Sequence, residues 1–247
     1  MPAAPTAFLL SLPDLPLVRG GVVRRHRAAA WWWSRAGDEP RCPRPNIPSV
    51  LLIPALTGGP CAGGPEGWWD PLIGPGRALD PAKYRLIGFN NLGSFYGSSA
   101  PGAPGFPRDA KLTVVDQARA IVLGLDALGV RRLDLVAGGS LGGMIALTLA
   151  ALAPARVARV LALATSVRAT PWSAGWNHVA RQILRLDPAR GLAVARQLAM
   201  LTYRAPAGLA RRHEAQGVGG YLDHHGEKLH GRFTPACYAA QLDAMDA

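Results

Sequence analysis

The chain has 247 residues, 49% of them hydrophobic, and a formal net charge of +11. That length allows one large α/β domain or two small ones, with enough apolar residues for a sizeable core. The cations are nearly all arginine, the lysines being Lys83, Lys111 and Lys228, and they are scattered without a dense basic run or an interleaved aromatic stripe. This argues against a nucleic-acid partner and leaves an anionic substrate as the functional reading of the charge.

Cys42, Cys61 and Cys237 are an odd, widely spaced set, which gives neither a disulfide framework nor a CxxC metal pattern and points to a reducing, cytoplasmic setting. The opening MPAAPTAFLLSLPDLP has no basic start and is broken by prolines, unlike a secretory leader. The most apolar helical stretch stops at Pro154, short of the ~20 residues a membrane span needs, so no membrane partner is expected.

In chain order, residues 1–48 carry little periodicity. RAAAWWWSRAG (27–37) reads as an early strand, with Trp31, Trp32 and Trp33 as packing residues. SVLLIPAL (49–56) is a short apolar run ending in turn residues, hence a buried strand, and 57–82 is a long Gly/Pro-rich loop. YRLIGFNNLG (84–93) is a second buried strand, followed by another Gly/Pro loop at 97–110. TVVDQARAIVLGLDALGV (113–130) places Val114, Val115, Ala118, Ile121, Val122, Leu125 and Leu128 on one helical face. Thr113 and Asp116 suit a capping box at its start, and Gly129 suits its end. RRLDLVAG (131–138), LGGMIALTLAALA (141–153) and RVARVLALATS (156–166) continue as strand, helix and strand. Apolar strands alternating with helices predict a mostly parallel sheet covered on both faces. From residue 172 on the pattern is mainly helical, with a helix start at Asp187–Pro188.

Gly138-Gly139-Ser140-Leu141-Gly142 fits G-x-S-x-G between a predicted strand and a predicted helix. A sharp turn there exposes the serine hydroxyl, and strand and helix pass so closely that neighbouring side chains must be tiny. The helix start then aims backbone N–H groups at a developing oxyanion. Ser140 is thus a candidate nucleophile; the bland alternative is a structural Gly-Ser turn. PALTGG (54–59) follows an earlier strand, where the N–H of Leu56 or Thr57 can supply a second donor.

Several blocks in the same order resemble homoserine O-acetyltransferases, a branch of the α/β-hydrolase fold. GGSLGGM (138–144) resembles their GGSMGGM segment. PALTGG resembles HALTG, and GWWDPLIGPGRALD (67–80) resembles GWWDGLIGPGKAID. NNLGSFYGSSAP (90–101), ATSVRATPWSAGWNHVARQIL (164–184), GLAVARQLAMLTYR (191–204) and RFTPACYAAQLDAMD (232–246) match further family segments. The departures are Pro54 in place of a histidine and Leu141 in place of a methionine.

The resemblance implies an α/β-hydrolase core over 1–170 and a helical lid over 171–247. It implies an acyltransferase in which Ser140 takes an acetyl group from acetyl-CoA, as cosubstrate, and passes it to the hydroxyl of homoserine or serine, with no permanently bound cofactor. Leu56 and Leu141 would supply the oxyanion N–H groups, Arg204 would clamp the amino-acid carboxylate, and two copies would pair through the lid. A hydrolase of the same fold and a non-catalytic homologue are the alternatives.

A serine nucleophile also needs a base and an orienting carboxylate. The family places both beyond the lid, and the last residues, AQLDAMDA, match the lid's end. The later strands therefore read as missing, which leaves an exposed sheet edge and a monomer prone to aggregate. His26, His178, His213, His224, His225 and His230 are each read as solvated or locally bonded, and DHHGEKLH (223–230) as no metal site.

Overall fold

The computed structural model describes residues 4–213 and 216–247. In chain order its strands are β1 (Thr6–Ser11), β2 (Leu15–Pro16), β3 (Val22–Val23), β4 (Arg27–Trp33), β5 (Ser49–Ile53) and β6 (Arg85–Phe89). Helix α1 (Val114–Ala127), β7 (Leu135–Gly139), α2 (Leu141–Leu152) and β8 (Val160–Leu163) follow. The rest is helical: α3 (Pro171–Leu186), α4 (Gly191–Thr202), α5 (Pro206–Ala210), α6 (Val218–His230) and α7 (Pro235–Met245).

The main sheet has the spatial order β1-β4-β6-β5-β7-β8. β6, β5, β7 and β8 are mutually parallel, and β4 and β1 are antiparallel additions at one edge. The mostly parallel α/β sheet expected from the strand–helix alternation is therefore present. β1 escaped the sequence reading because it is an edge strand in which Leu10 alone is buried, so its pattern is weak.

Alternation along each strand sends successive side chains to opposite faces. Leu51, Ile53, Ile87, Phe89 and Val136 join Trp32 in a cluster beneath the helices. Val50, Leu52, Leu86 and Ala137 join Trp31 on the other face. The path from β6 to β7 and on to β8 moves one way across the sheet, whereas β5 to β6 moves the other way. Right-handed crossovers then place α1 and α2 on one face and the long 54–84 connection on the opposite one. That connection has no α-helix; it covers its face with Ala62, Trp68, Trp69 and Ile73.

Local chemistry sets the element ends. Thr113 accepts from the Asp116 N–H, and Asp116 accepts from the Thr113 N–H at 2.9 Å, so the capping box forms. The other Asp116 oxygen takes the Val18 N–H at 2.8 Å and anchors the β2–β3 hairpin to the helix. Gly129 closes the helix with φ +70°. The helix start expected at Asp187–Pro188 lies instead at Gly191, because Asp187 caps the end of α3 and its carboxylate accepts the N–H groups of Ala189 and Arg190 in a local turn. The strand expected over 156–166 is shorter, and Leu161 and Leu163 on it are 44% and 41% exposed.

The helical part shares the core of the sheet. Tyr238, Leu242 and Ala244 of α7 are buried in the cluster beneath the sheet. Gln241 donates to the Leu92 carbonyl at 2.8 Å, and Gln117 accepts the Leu92 N–H at 2.7 Å. At the other end of the strands, Arg85 donates through Nε to Asp38 at 2.9 Å and stacks over Trp32.

Candidate active site

Ser140 sits where β7 turns into α2, with φ 54° and ψ −124°. A non-glycine residue occupies this region only when its surroundings force it. Its N–H donates to the Leu163 carbonyl on β8 at 2.9 Å. Its carbonyl accepts from the Gly143 N–H at 2.9 Å and the Thr165 hydroxyl at 2.8 Å. The flanking glycines are a steric requirement: a Cβ on Gly138 would strike the Gly142 carbonyl, and one on Gly142 would strike the carbonyls of Ile53 and Pro54. The G-x-S-x-G spacing thus follows from how closely β5, β7 and α2 approach one another.

Two backbone N–H groups without partners among the described residues lie near the serine. Leu141 is the first residue of α2, so its N–H has no partner within the helix and lies at the positive end of the helix dipole. Leu56 lies in a turn closed by the Gly58 N–H on the Ala55 carbonyl at 3.0 Å. Its own N–H forms no hydrogen bond among the described residues.

Ser140 and Leu56 line a cavity of about 210 Å³. Helix α3 supplies Trp172, Ser173, Trp176 and Asn177, α4 supplies Thr202 at its end, and Tyr203 follows it; α7 adds Tyr238, Leu242 and Met245. Trp172 and Trp176 meet edge to face, with centroids 5.2 Å apart. Asn177 is held by its Nδ2 on Asp246 at 2.7 Å. Burial pushes the Tyr238 hydroxyl far above its ordinary pKa, so it stays neutral. A second pocket of about 260 Å³ reaches Ser140 from the side of Thr165, Ser166 and Thr170. These wall residues escaped the sequence reading, although Trp172, Trp176 and Ala180 recur at helical spacing and carried a usable signal.

Ser140, Leu56 and Leu141 come together as expected from the sequence. Arg204 does not join them: it is exposed just beyond α4, outside the lining of both pockets, although Tyr203 beside it is in the wall. None of the six histidines lines either pocket. His178 is on α3 beside Asn177, within 3.5 Å of Gln182. His26 is buried in a separate small cavity with Asn90, Ser98 and Gln117, and burial lowers its pKa to about 4. His224 and His225 pack with Tyr221 and His213 away from Ser140, and no metal-binding group of three occurs among the described residues.

Comparison with known proteins adds the lineage. The family model for the α/β-hydrolase fold matches residues 48–199. A solved homoserine O-acetyltransferase from Staphylococcus aureus superposes with a TM-score of 0.86 at 33% identity, covering 98% of this chain and 72% of that one. The chain belongs to the homoserine O-acetyltransferase family of α/β-hydrolases. The homoserine O-acetyltransferase of Thermus thermophilus is 45% identical over 201 residues, 74% of this chain and 52% of the relative. A homoserine O-succinyltransferase of Bordetella avium is 34% identical over 244 residues, 80% of this chain and 59% of that protein. The chain thus spans about half to two thirds of the length of such curated relatives. No helix among the described residues is long and apolar enough to cross a membrane.

Proposed function

We propose that the chain carries the nucleophile half of an acyltransferase that moves an acetyl group from acetyl-CoA to the hydroxyl of homoserine, in cytoplasmic methionine biosynthesis. The observation that carries this is Ser140, held at φ 54° and lining a cavity in a chain 45% identical over 201 residues to a homoserine O-acetyltransferase. In this reading the Ser140 oxygen attacks the thioester carbonyl and the N–H groups of Leu56 and Leu141 hold the tetrahedral oxyanion. Coenzyme A leaves as the thiol, and the amino-acid hydroxyl then attacks the acyl-enzyme ester and restores Ser140. Arg204 is proposed to bind the acceptor carboxylate, which requires its side chain to swing toward Tyr203. Serine as acceptor and a succinyl donor belong to the same chemistry. Pairing of two copies through the helical part fits the exposed Trp172 and Leu186 on α3.

The attack also requires a base to take the Ser140 proton. Since no histidine lines either pocket, this reading has the base reach Ser140 from outside the described lining. The test is thiol release from acetyl-CoA with and without homoserine, beside Ser140→Ala. Release that depends on homoserine and on Ser140 supports transfer. Equal release without homoserine supports a hydrolase.

A further inference from the structure

The turn that carries Leu56 is held from outside by the connection between α6 and α7. Arg232, in that connection, donates through Nη1 to the Thr57 carbonyl at 3.0 Å. The same nitrogen meets the Tyr96 hydroxyl. Tyr96 in turn donates its hydroxyl to the Thr57 carbonyl at 3.3 Å. The Tyr96 ring packs edge-on against Phe233, the residue after Arg232, with centroids 6.1 Å apart. On its other side the backbone of Gly59 lies against that ring, so a Cβ there would meet it at 3.3 Å. Among the described residues Arg232 has no carboxylate partner, so the Thr57 carbonyl and the Tyr96 oxygen are its acceptors.

This arrangement bears on the acyl-transfer chemistry through geometry. Ala55, Leu56, Thr57 and Gly58 form one turn, closed by the Gly58 N–H on Ala55. Such a turn leaves the N–H of its second residue unused, and that residue is Leu56. Asn91 holds the start of the turn by donating through Nδ2 to the Pro54 carbonyl at 3.3 Å, and the far side is held at the Thr57 carbonyl. A guanidinium and a phenol converge on that carbonyl with two donors, one of them charged.

We infer that Arg232 is a positioning residue for oxyanion stabilisation: with Tyr96 it pins the Thr57 carbonyl, and so fixes the direction of the Leu56 N–H toward Ser140. Its position makes the α6–α7 connection a control on the nucleophile's surroundings, although no group of that connection lines the Ser140 cavity. The statement about Leu56 as a donor rests on the acyl-transfer reading; the pinning of the turn does not.

The test uses the full chain with Arg232→Ala, Arg232→Lys and Tyr96→Phe. Two quantities are read: hydrogen exchange of the 55–59 amides, and the rate at which Ser140 is labelled by an organophosphonate. Losing a charged hydrogen bond predicts exchange of the 55–59 amides faster by about tenfold or more in Arg232→Ala, confined to that segment, with unchanged exchange in α1 and α2. Labelling slows in step, and Arg232→Lys recovers part of both because an ammonium still donates to the carbonyl. Tyr96→Phe gives a smaller change of the same kind. Unchanged exchange at 55–59, or acceleration spread evenly over the chain, overturns the inference. Should Arg232→Ala fail to fold, the lysine and phenylalanine variants decide it by the same readings. A wild-type chain that resists labelling while the exchange changes appear counts against Ser140 as a nucleophile and leaves the positioning role standing.

Discussion

The Ser140 N–H bonds the Leu163 carbonyl at 2.9 Å, so the candidate nucleophile is tied to the last strand in the sheet order. The elbow is therefore braced on three sides: by β8 through Leu163, by Thr165 through its hydroxyl, and by β5 through the close approach of Ile53 to Gly142.

That bracing predicts intolerance at Gly142. Gly142→Ala forces a methyl into the carbonyls of Ile53 and Pro54, neither of which can move without disturbing the sheet. Overpacking of this kind costs about 1–3 kcal/mol. Urea titration should show a loss in that range, and Ser140 reactivity should fall further than the stability loss explains. A variant with wild-type stability would show that the approach is looser than drawn.

Arg85 and Asp38 make a buried ion pair whose side chains are 6% and 0% exposed. Burial alone would raise the Asp38 pKa, but hydrogen bonds from Arg85 and the Arg44 N–H outweigh it and hold the carboxyl below its ordinary value. Removing one partner strands a charge, so Arg85→Met or Asp38→Ala is expected to cost about 3–5 kcal/mol. The double variant Asp38→Ala/Arg85→Met should cost less than the sum, a difference that a double-mutant cycle in denaturant measures.

His26 makes stability depend on pH. Its folded pKa of about 4 lies below the ordinary 6.5, so between these values the unfolded chain takes up a proton that the folded chain refuses. Stability is then full above the unfolded value and declines as pH falls from about 6.5 to 4, by roughly 3 kcal/mol for a shift of this size. His26→Phe should flatten that limb of the curve of stability against pH. An unchanged slope would mean that His26 is protonated where it sits.

Leu161 and Leu163 on β8 and the nearby Val167 leave apolar surface exposed beside a strand edge that has no partner among the described residues. An open edge of this kind templates self-association. Leu161→Lys combined with Val167→Lys should reduce light scattering of concentrated samples while leaving the fold intact by circular dichroism. Leu163 is better left alone, because its carbonyl holds Ser140.

Much of this architecture is legible in the sequence because its strands are short, uninterrupted apolar runs between Gly- and Pro-rich turns. The α1 boundaries are legible for a different reason: Thr113 and Asp116 encode the cap in side-chain chemistry three residues apart. β1 was not, since one buried side chain in six residues leaves no alternation to detect. Ser140 announced itself through the glycines around it. The walls of its cavity did not, because Trp172, Asn177 and Tyr238 become neighbours only when α3 and α7 fold over the sheet. Arg232 was invisible for the same reason: its partner Thr57 is 175 residues away in sequence.

The most direct measurement is intact-protein mass spectrometry of the chain mixed with acetyl-CoA, beside Ser140→Ala. The account predicts one acetyl adduct on the wild type, mapped to Ser140 and lost in the variant. A folded chain that gains no adduct, or that gains the same adduct in both, would contradict an activated Ser140.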